Sequence, residues 1–279
     1  MEIVRNPRVM QNTSAAWAGR SVGLVPTMGA LHDGHMSLMR ACREENDVAV
    51  ASVFVNPAQF GPGEDLDKYP RDVEGDLEKL KAAGVDAVFM PEPSAMYPEG
   101  FATEVKVGGL SERLCGAFRP GHFAGVATVV AKLFNIVAPR RAYFGLKDYQ
   151  QYLVIRRLAA DLNMPVEVIG CPTVRERDGL AMSSRNRYLG PEERKAASAI
   201  YRCLRETEEK IKAGLEDGAA VGEFMSGRLR AEPLIREVQY AGAYDPETLD
   251  GLRTVTGRAV LATAVLIGGA RLIDNLVLD

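Results

Sequence analysis

The strongest constraint on the fold is an alternation of short apolar runs with longer amphipathic segments over the first part of the chain. Strand-like and helix-like segments follow one another at residues 21–26, 34–45, 47–55, 71–83, 85–90, 121–137, 142–144, 149–162 and 166–169. In residues 121–137 the apolar side chains recur at spacings of three and four, which places them on one helix face. Short runs joined by helices predict a parallel sheet covered on both faces. The expected fold class is therefore α/β, with a Rossmann-like N-terminal domain.

The pattern changes after about residue 177. A long helix is predicted over residues 191–213, with a proline and two acidic residues in its first turn. Two β-rich stretches follow, at 235–244 and 258–278, and a Gly-Gly pair in the second predicts a hairpin. At roughly 150 residues per domain, a chain of 279 residues suggests two domains. We predict a Rossmann-like domain over 1–176 and a smaller α+β domain over 177–279, with a hinge near 176–179.

Composition and charge argue against several classes of protein. The chain is 47% hydrophobic and 25% charged, with a formal net charge of −3, whereas nucleic-acid binding usually needs a clustered basic face. The longest apolar stretch, residues 259–270, is shorter than the ~20 residues that span a bilayer. The N-terminus lacks the pattern of a signal peptide, and the scattered cysteines suit a reducing compartment. We expect a soluble, cytoplasmic protein with no nucleic-acid or membrane partner.

All three histidines lie beside glycines where a loop is predicted to enter a helix. His32 and His35 belong to a run at residues 26–35 that follows the first predicted strand, at the sheet edge where open α/β folds bind ligands. Three residues apart at a helix start, they can share a face, and Gly34 between them lets a phosphate or a base approach the backbone. Unpaired N–H groups there attract phosphate oxygens. A histidine-capped turn is the structural alternative.

Two later turns carry chemistry that suits phosphate. Lys147 can bind phosphate at a second strand-to-helix turn, where Asp148 can cap the helix or hold a ribose hydroxyl. Residues 182–187 combine two serines with arginine just after the predicted hinge, which favours a mobile clamp over a triphosphate. Either turn alone also fits an ordinary surface loop. The common P-loop, Gly-x-Gly-x-x-Gly, His-Glu-x-x-His and paired-cysteine motifs do not occur.

Together, the His-x-Gly-His element and the Met-Ser-Ser-Arg loop resemble the paired signatures of the class I aminoacyl-tRNA synthetase-like nucleotidyltransferase superfamily. Within it, the sequence resembles the pantothenate synthetase (pantoate–β-alanine ligase) family over nearly its whole length. The blocks that carry this resemblance lie at residues 26–29, 31–35, 54–60, 69–71, 119–123, 144–145, 147–148, 150–151, 178–186 and 271–275. One departure is Leu146, where the family usually has an acidic residue or glutamine. Because Lys147 and Asp148 remain, we expect activity to survive, and we leave the nucleotide affinity of this loop open.

The resemblance implies a two-step reaction. The pantoate carboxylate attacks the α-phosphorus of Mg-ATP and releases pyrophosphate, and the β-alanine amine then attacks the pantoyl adenylate to give pantothenate and AMP. ATP is thus a co-substrate, and Mg²⁺ enters on its phosphates with no protein ligand assigned. A homodimer formed through the N-terminal domain is implied by the resemblance alone.

The resemblance also assigns roles to residues, with His35 as the proton donor. The implied catalytic residues are His35, His32, Lys147, Ser183, Ser184 and Arg185. The implied ATP-binding residues are Met28, Gly29, Ala30, Leu31, His32, Asp33, Gly34, His35, Gly145, Leu146, Lys147, Asp148, Val174, Met182, Ser183, Ser184 and Arg185. The implied pantoate- and β-alanine-binding residues are Gln59, Gln151, Asn56, Arg119 and His122, of which the last three also fit local anchoring of loops.

Residues 58–69 are a predicted lid, because an acyl adenylate needs protection from water. Two other functions stay open. One is a different adenylyltransferase of the superfamily, against which the amides of Gln59 and Gln151 argue because they suit a small hydroxy acid. The other is a nucleotide-binding regulator without catalysis, suggested by Leu146 and opposed by the retained histidines, lysine and serine–arginine loop. An aminoacyl-tRNA synthetase is disfavoured because the chain is short and acidic and lacks an evident anticodon-binding module.

Overall fold

The computed structural model describes residues Met1–Asp279 and divides the chain into two compact units. Unit 1 comprises Met1–Ser111, Arg119–Leu146 and Gln151–Pro172. Unit 2 comprises Glu112–Phe118, Lys147–Gln150 and Thr173–Asp279. Unit 2 therefore takes in two short segments from the middle of the chain as well as the C-terminal part.

Unit 1 is built on a parallel sheet of six strands in the order β1-β4-β3-β2-β5-β6. The strands are β1 (Glu2–Val4), β2 (Val22–Thr27), β3 (Val48–Val53), β4 (Ala87–Phe89), β5 (Arg141–Gly145) and β6 (Glu167–Cys171). The helices along this part of the chain are α1 (Pro7–Ala15), α2 (Asp33–Glu45), α3 (Val73–Ala82), α4 (Pro93–Met96), α5 (Cys115–Phe118, in unit 2), α6 (His122–Val137) and α7 (Tyr149–Asp161).

The core of unit 1 forms around its central strands. β2 and β3 pair from Val22↔Val48 to Thr27↔Val53, and nearly all their side chains are buried. A strand that is covered on both faces is a continuous apolar run in the sequence, which is the pattern that these two segments show. Helix α6 is also buried along almost its entire length.

The C-terminal part of unit 2 combines three helices with an antiparallel sheet in the order β7-β8-β9. Its main elements are α8 (Pro191–Ala197), α9 (Ala199–Lys212), α10 (Gly218–Arg230), β7 (Ile235–Tyr244), β8 (Ala259–Ile267) and β9 (Ala270–Leu278). Strands β8 and β9 pair without interruption from Ile267↔Ala270 to Ala259↔Leu278, so the Gly-Gly pair forms the predicted hairpin turn. Apolar residues from the helices and the sheet form one core cluster.

The predicted fold class is confirmed, and several details of the secondary structure differ, among them the short helices α4 and α5, which were not predicted. The helix predicted over 191–213 is two helices that meet at Ser198, whose amide donates to the carbonyl of Lys195 three residues back and whose hydroxyl bonds to the same atom. Such back-bonding competes with the regular helix ladder. The sequence analysis also missed β1 with α1, and α10. β1 has only three residues, and the glycines of α10 lower its intrinsic helix propensity. No helix is both long and apolar enough to cross a membrane.

Candidate active site

Three of the predicted site segments lie at the same edge of the unit 1 sheet. They follow or end the neighbouring strands β2, β3 and β5. β2 is hydrogen-bonded to β3 on one side and to β5 on the other, so the strand order changes direction here. In open α/β sheets, ligands bind beyond the carboxyl ends of the strands at such a switch point. The loop that carries His32 and His35 follows β2, the turn with Gln59 follows β3, and Gly145 ends β5.

The loop between β2 and α2 makes a tight turn that a buried carboxylate stabilises. Gly29 has φ +82 and Ala30 φ +50, a left-handed conformation that costs an ordinary residue about 1 kcal/mol or more. Asp76 of α3, only 1% exposed, accepts hydrogen bonds from the amides of Ala30 (2.8 Å) and Leu31 (2.7 Å). A Cβ on Gly29 would lie 2.9 Å from an Asp76 oxygen, so glycine is required. Lys79 donates to the carbonyl of Leu31 (3.0 Å).

This support comes from residues that the sequence analysis did not place in the site. Asp76 and Lys79 lie one helical turn apart on α3, which carries no recognised motif. Burial raises the pKa of Asp76, and the two amide hydrogen bonds and the nearby Lys79 act in the opposite direction. The burial of Asp76 is visible only in the structure, so no signal in the sequence pointed to this contact.

The two histidines of the loop are brought together at the start of α2. His32 is the N-cap residue, and His35 Nδ1 accepts a hydrogen bond from the His32 amide at 3.3 Å. The two ring centroids are 4.1 Å apart. With Nδ1 accepting, the neutral His35 ring carries its proton on Nε2, a tautomer that we assign from the hydrogen bond. The pair therefore presents imidazole groups at a helix N-terminus, which already favours an anion.

Gln59 is held by one side chain from its own turn and one from the loop after β2. It lies at the end of the turn Pro57–Gln59 and is 8% exposed. Its Nε2 lies 3.1 Å from the sulfur of Met28, and its Oε1 accepts a hydrogen bond from Asn56 at 3.0 Å. Asn56 Oδ1 in turn accepts from the Tyr97 hydroxyl at 2.7 Å. The amide of Gln59 thus has a defined orientation before any ligand binds.

Arg119 and His122 anchor the same turn. His122 Nδ1 donates to the carbonyl of Gln59 at 2.8 Å, so its Nε2 accepts from Arg119 at 3.0 Å. Two further Arg119 nitrogens pair with Glu64 at 2.7 and 2.5 Å. Burial opposes ionisation of Glu64, but Arg119 outweighs it and the pKa of Glu64 lies below its ordinary value. Glu64 belongs to the predicted lid and was not itself singled out from the sequence.

Helix α6 can approach this turn only because it carries Gly125. A Cβ at that position would lie 2.1 Å from the carbonyl oxygen of Ala58. Asn56 also donates to the Gly125 carbonyl at 3.2 Å, which ties the turn to the helix. The conformation around Gln59 is therefore set by close backbone packing, which no motif in the sequence reveals.

The two glutamines at the start of α7 have different surroundings. Gln151 is half-buried in unit 1. Gln150 is 8% exposed and belongs to unit 2, where it accepts from the Cys115 amide (3.0 Å) and donates to the Arg113 carbonyl (2.7 Å). Neighbours in a helix point about 100° apart, so the two side chains face different surroundings.

Leu146 packs against the edge strand of the unit 1 sheet. A Cβ added to Gly170 of β6 would lie 2.7 Å from Leu146 Cδ2 and 3.2 Å from the ring of Tyr152. Gly170 therefore makes room for this leucine, which was the one departure from the family pattern. The side chain contributes to packing on β6.

In unit 2, the predicted phosphate clamp, residues 182–187, follows a loop that a main-chain hydrogen bond closes. The amide of Met182 donates to the carbonyl of Val174 at 3.0 Å, which closes residues 174–182 into a narrow loop. Ser183 then caps the single-turn helix Ser184–Tyr188, with its Oγ accepting from the amide of Arg185 at 3.3 Å. Ser184 is buried. The hydroxyls and the guanidinium are thus clustered at one helical turn.

Lys147 and Asp148 also belong to unit 2 and lie in the 3₁₀ turn Leu146–Asp148 that follows β5. The Lys147 ammonium is 3.3 Å from the Asp148 carboxylate, and its side chain is 19% exposed. A partly covered ammonium of this kind can act as a point charge on a phosphate. No group of three or more His, Cys, Asp or Glu side chains in the chain is arranged to hold a metal ion.

Comparisons with known proteins identify the family. The family model described as pantoate-beta-alanine ligase matches residues 2–277. A pantothenate synthetase of Thermodesulfovibrio yellowstonii is 56% identical over 281 residues, which cover 100% of both chains. The chain belongs to the pantoate–β-alanine ligase family. The resemblance inferred from the motifs is thereby confirmed.

Solved structures of the same ligase family match over the full length. A pantothenate synthetase from Thermus thermophilus is 52% identical, with a TM-score of 0.94 and 99% of each chain covered. A pantoate-beta-alanine ligase from Francisella tularensis, solved in complex with beta-gamma ATP and beta-alanine, is 34% identical, with a TM-score of 0.83, covering 99% of this chain and 97% of that one.

Proposed function

We propose that the protein condenses pantoate with β-alanine to form pantothenate, using ATP and releasing AMP and pyrophosphate through a pantoyl adenylate. It is a ligase that forms an amide bond. The observation that carries this proposal is the His32–His35 pair at the switch point of a chain that matches the ligase family over its whole length. The Francisella relative in complex with beta-gamma ATP and beta-alanine supports a nucleotide and this amine as ligands.

In the first step, a pantoate carboxylate oxygen attacks the α-phosphorus, and the bond from that phosphorus to the bridging oxygen of pyrophosphate breaks. His35 donates from Nε2 to the phosphate as charge builds up in the transition state, and His32 lies beside it. Lys147, Ser183, Ser184 and Arg185 hold the departing phosphates. Positive charge and hydroxyl donors at these positions stabilise the pyrophosphate as it leaves.

The remaining ATP-binding residues surround the nucleoside and the α-phosphate. We assign Gly145 and Asp148 to the ribose and Val174 to the edge of the base. The loop after β2 and the first turn of α2 give the α-phosphate main-chain amides and space for close approach. The further members of this ATP-binding set are Met28, Gly29, Ala30, Leu31, Asp33, Gly34, Leu146 and Met182.

We assign the binding of pantoate and β-alanine to residues of unit 1. Gln59 and Gln151 bind pantoate, since amides can both donate to a carboxylate and accept from hydroxyl groups. Gln59 also reaches β-alanine, with Asn56, Arg119 and His122 beside it. The β-alanine amine attacks the acyl carbon, loses a proton as the amide forms, and displaces AMP. The orientation that Asn56 and Met28 impose on Gln59 supports a site formed in advance of binding.

We also propose the roles of the two domains, the metal ion, the location and the oligomeric state of the enzyme. Residues 1–176 bind pantoate and the nucleoside, and 177–279 carry the phosphate clamp. Mg²⁺ would enter with ATP and would offset charge on the phosphates, with phosphate oxygens and water as its main ligands. We assign Asp76 no part in holding it, because both of its oxygens already accept main-chain hydrogen bonds. On the resemblance alone, we propose a cytoplasmic homodimer.

The decisive assay measures AMP and pyrophosphate release from ATP with pantoate and β-alanine supplied separately and then together. Steady turnover that requires both substrates supports the ligase. Pyrophosphate exchange that depends on pantoate separates it from another adenylyltransferase of the superfamily. Nucleotide binding without turnover under any of these conditions would contradict the proposal and favour a regulator.

A further inference from the structure

Two adjacent polar residues of β9 lie deep inside unit 2 and have no part in the mechanism given above. Asp274 is 3% exposed and Asn275 is 7% exposed. Nδ2 of Asn275 donates to the main-chain carbonyl of Lys147 at 2.9 Å, across 128 residues of sequence. The last strand of the chain is thereby bonded to the turn that carries the proposed phosphate-binding lysine.

Asp274 makes a second long-range connection. Its carboxylate accepts two hydrogen bonds from the Arg175 guanidinium, at 2.6 and 3.0 Å, and one from the main-chain N–H of Asn275 at 2.8 Å. Arg175 is adjacent to Val174 and also donates to the carbonyl of Gly179 at 3.1 Å. Its guanidinium carbon lies 4.0 Å from the centroid of the Tyr201 ring, which covers the ion pair.

The two connections reach both of the nucleotide-binding segments of unit 2. Asn275 contacts the turn with Lys147, and Asp274, through Arg175, contacts the loop 174–182 that leads into the clamp. Strand β9 pairs with β8 along its length, so both contacts start from a rigid element.

Stability alone is a poor explanation for this arrangement. Replacing a buried ion pair by apolar residues of similar volume is often neutral or stabilising, because burial of charge is costly. The neighbouring positions Leu272 and Leu261 show that this sheet accepts apolar side chains. A buried ion pair and amide are better explained by the directional contacts that they make.

We propose that Asp274 and Asn275 are positioning residues for adenylation, which set the place of Lys147 and of the loop 174–182 on which ATP is held. This inference rests on the proposed role of Lys147 in phosphate binding. Neither residue contacts the substrate. Each acts through another group: Asn275 through the main chain of Lys147, and Asp274 through the side chain of Arg175.

The test is Asn275→Ala, with Asn46→Ala as the matched control. Asn46 is likewise 7% exposed and donates from Nδ2 to a main-chain carbonyl at 2.8 Å, and also to the Tyr143 hydroxyl at 2.7 Å. It lies at the amino end of β3, at the sheet edge opposite the loop with His32 and His35. We expect Asn275→Ala to lower ATP affinity, measured by calorimetry, and the pyrophosphate-exchange rate about tenfold each, the order expected for a lost buried hydrogen bond. Asn46→Ala should lower the melting temperature and leave ATP affinity unchanged.

A double-mutant cycle with Lys147→Ala separates positioning from general damage. If Asn275 acts through Lys147, adding Asn275→Ala to the Lys147→Ala enzyme should change ATP affinity less than about twofold. An unchanged tenfold loss in that background would overturn the inference, as would wild-type ATP affinity in Asn275→Ala itself. Wild-type affinity and exchange in Lys147→Ala would instead refute the proposed role of the lysine. Should Asn275→Ala not fold, Asn275→Ser keeps a local polar group that is too short to reach Lys147, and the same outcomes decide.

Discussion

Each of the two units of this chain has a buried carboxylate that supports a loop proposed to bind nucleotide, and the two carboxylates bind different kinds of group. In unit 1, the buried carboxylate of Asp76 accepts hydrogen bonds from the main-chain amides of Ala30 and Leu31. In unit 2, the buried carboxylate of Asp274 binds the side chain of Arg175. One carboxylate therefore stabilises a backbone conformation, and the other fixes the place of a charged side chain.

The two anchors differ in how far they constrain the sequence. Main-chain amides exist at every residue except proline, so the contact with Asp76 constrains the loop sequence only at Gly29, where a side chain would collide. A guanidinium–carboxylate pair needs specific partners at both ends. Asp274 lies in the block 271–275 that contributed to the family resemblance, whereas Asp76 and Arg175 lie outside every such block.

The largest expected effect comes from the reacting group that the unit 1 loop presents. His35→Ala should lower pantoate-dependent pyrophosphate exchange by at least about 10²-fold, because a proton and charge donor at the α-phosphate is removed. Rates are to be compared at saturating ATP and pantoate. A near-normal rate would remove His35 from the reaction.

The next effect tests the main-chain anchor directly. Asp76→Asn keeps the shape but replaces an acceptor by a donor that faces an amide, so we expect the exchange rate to fall about tenfold. Asp72→Asn is the control, since Asp72 accepts from a main-chain amide at 3.1 Å at the start of the same helix but does not touch the loop. Equal rates in the two variants would show that the Asp76 contact does not serve the chemistry.

A smaller effect, visible as a pH dependence, concerns the ion pair between Glu64 and Arg119. Because the pKa of Glu64 is lowered in the folded protein, its stabilisation is complete above the ordinary value of 4.5 and is lost as the pH falls through the lower folded value. Glu64→Gln should therefore lower the melting temperature at pH 7, and the difference from wild type should shrink below about pH 4.5. A difference that stays constant between pH 7 and pH 3 would contradict this assignment.

The smallest effect is expected at Leu146, the last residue of a unit 1 segment, directly before Lys147 of unit 2 in the sequence. Leu146→Gln restores a residue that the family commonly has, and the side chain packs on Gly170 of β6. We expect the KM for ATP to change no more than about twofold, because the Leu146 side chain packs on β6 and the substitution keeps the main chain with which this residue would meet the nucleotide. A tenfold change in that KM would mean that the side chain at this position also takes part in nucleotide binding.

Local patterns were sufficient for most of the secondary structure. The alternation of apolar runs and amphipathic segments predicted β2 to β6 with their helices, and the Gly-Gly pair predicted the β8–β9 turn. The break at Ser198 could not be predicted, because the residues on both sides favour a helix and a single altered hydrogen bond decides the outcome. The three-residue strand β1 depends on pairing with β4, more than eighty residues later, for its existence.

The candidate site also has features that the local sequence could predict and features that it could not. The sequence alone was sufficient to predict which short segments suit phosphate binding, since glycines, histidines, a lysine and a serine–arginine run can be recognised within a few residues of each other. Only the tertiary structure decided what holds those segments in place. Asp76 is separated from Ala30 by 46 residues and Asn275 from Lys147 by 128. A hydrogen bond between residues so far apart leaves no periodicity or spacing in the sequence, because the folding of the whole chain brings its partners together.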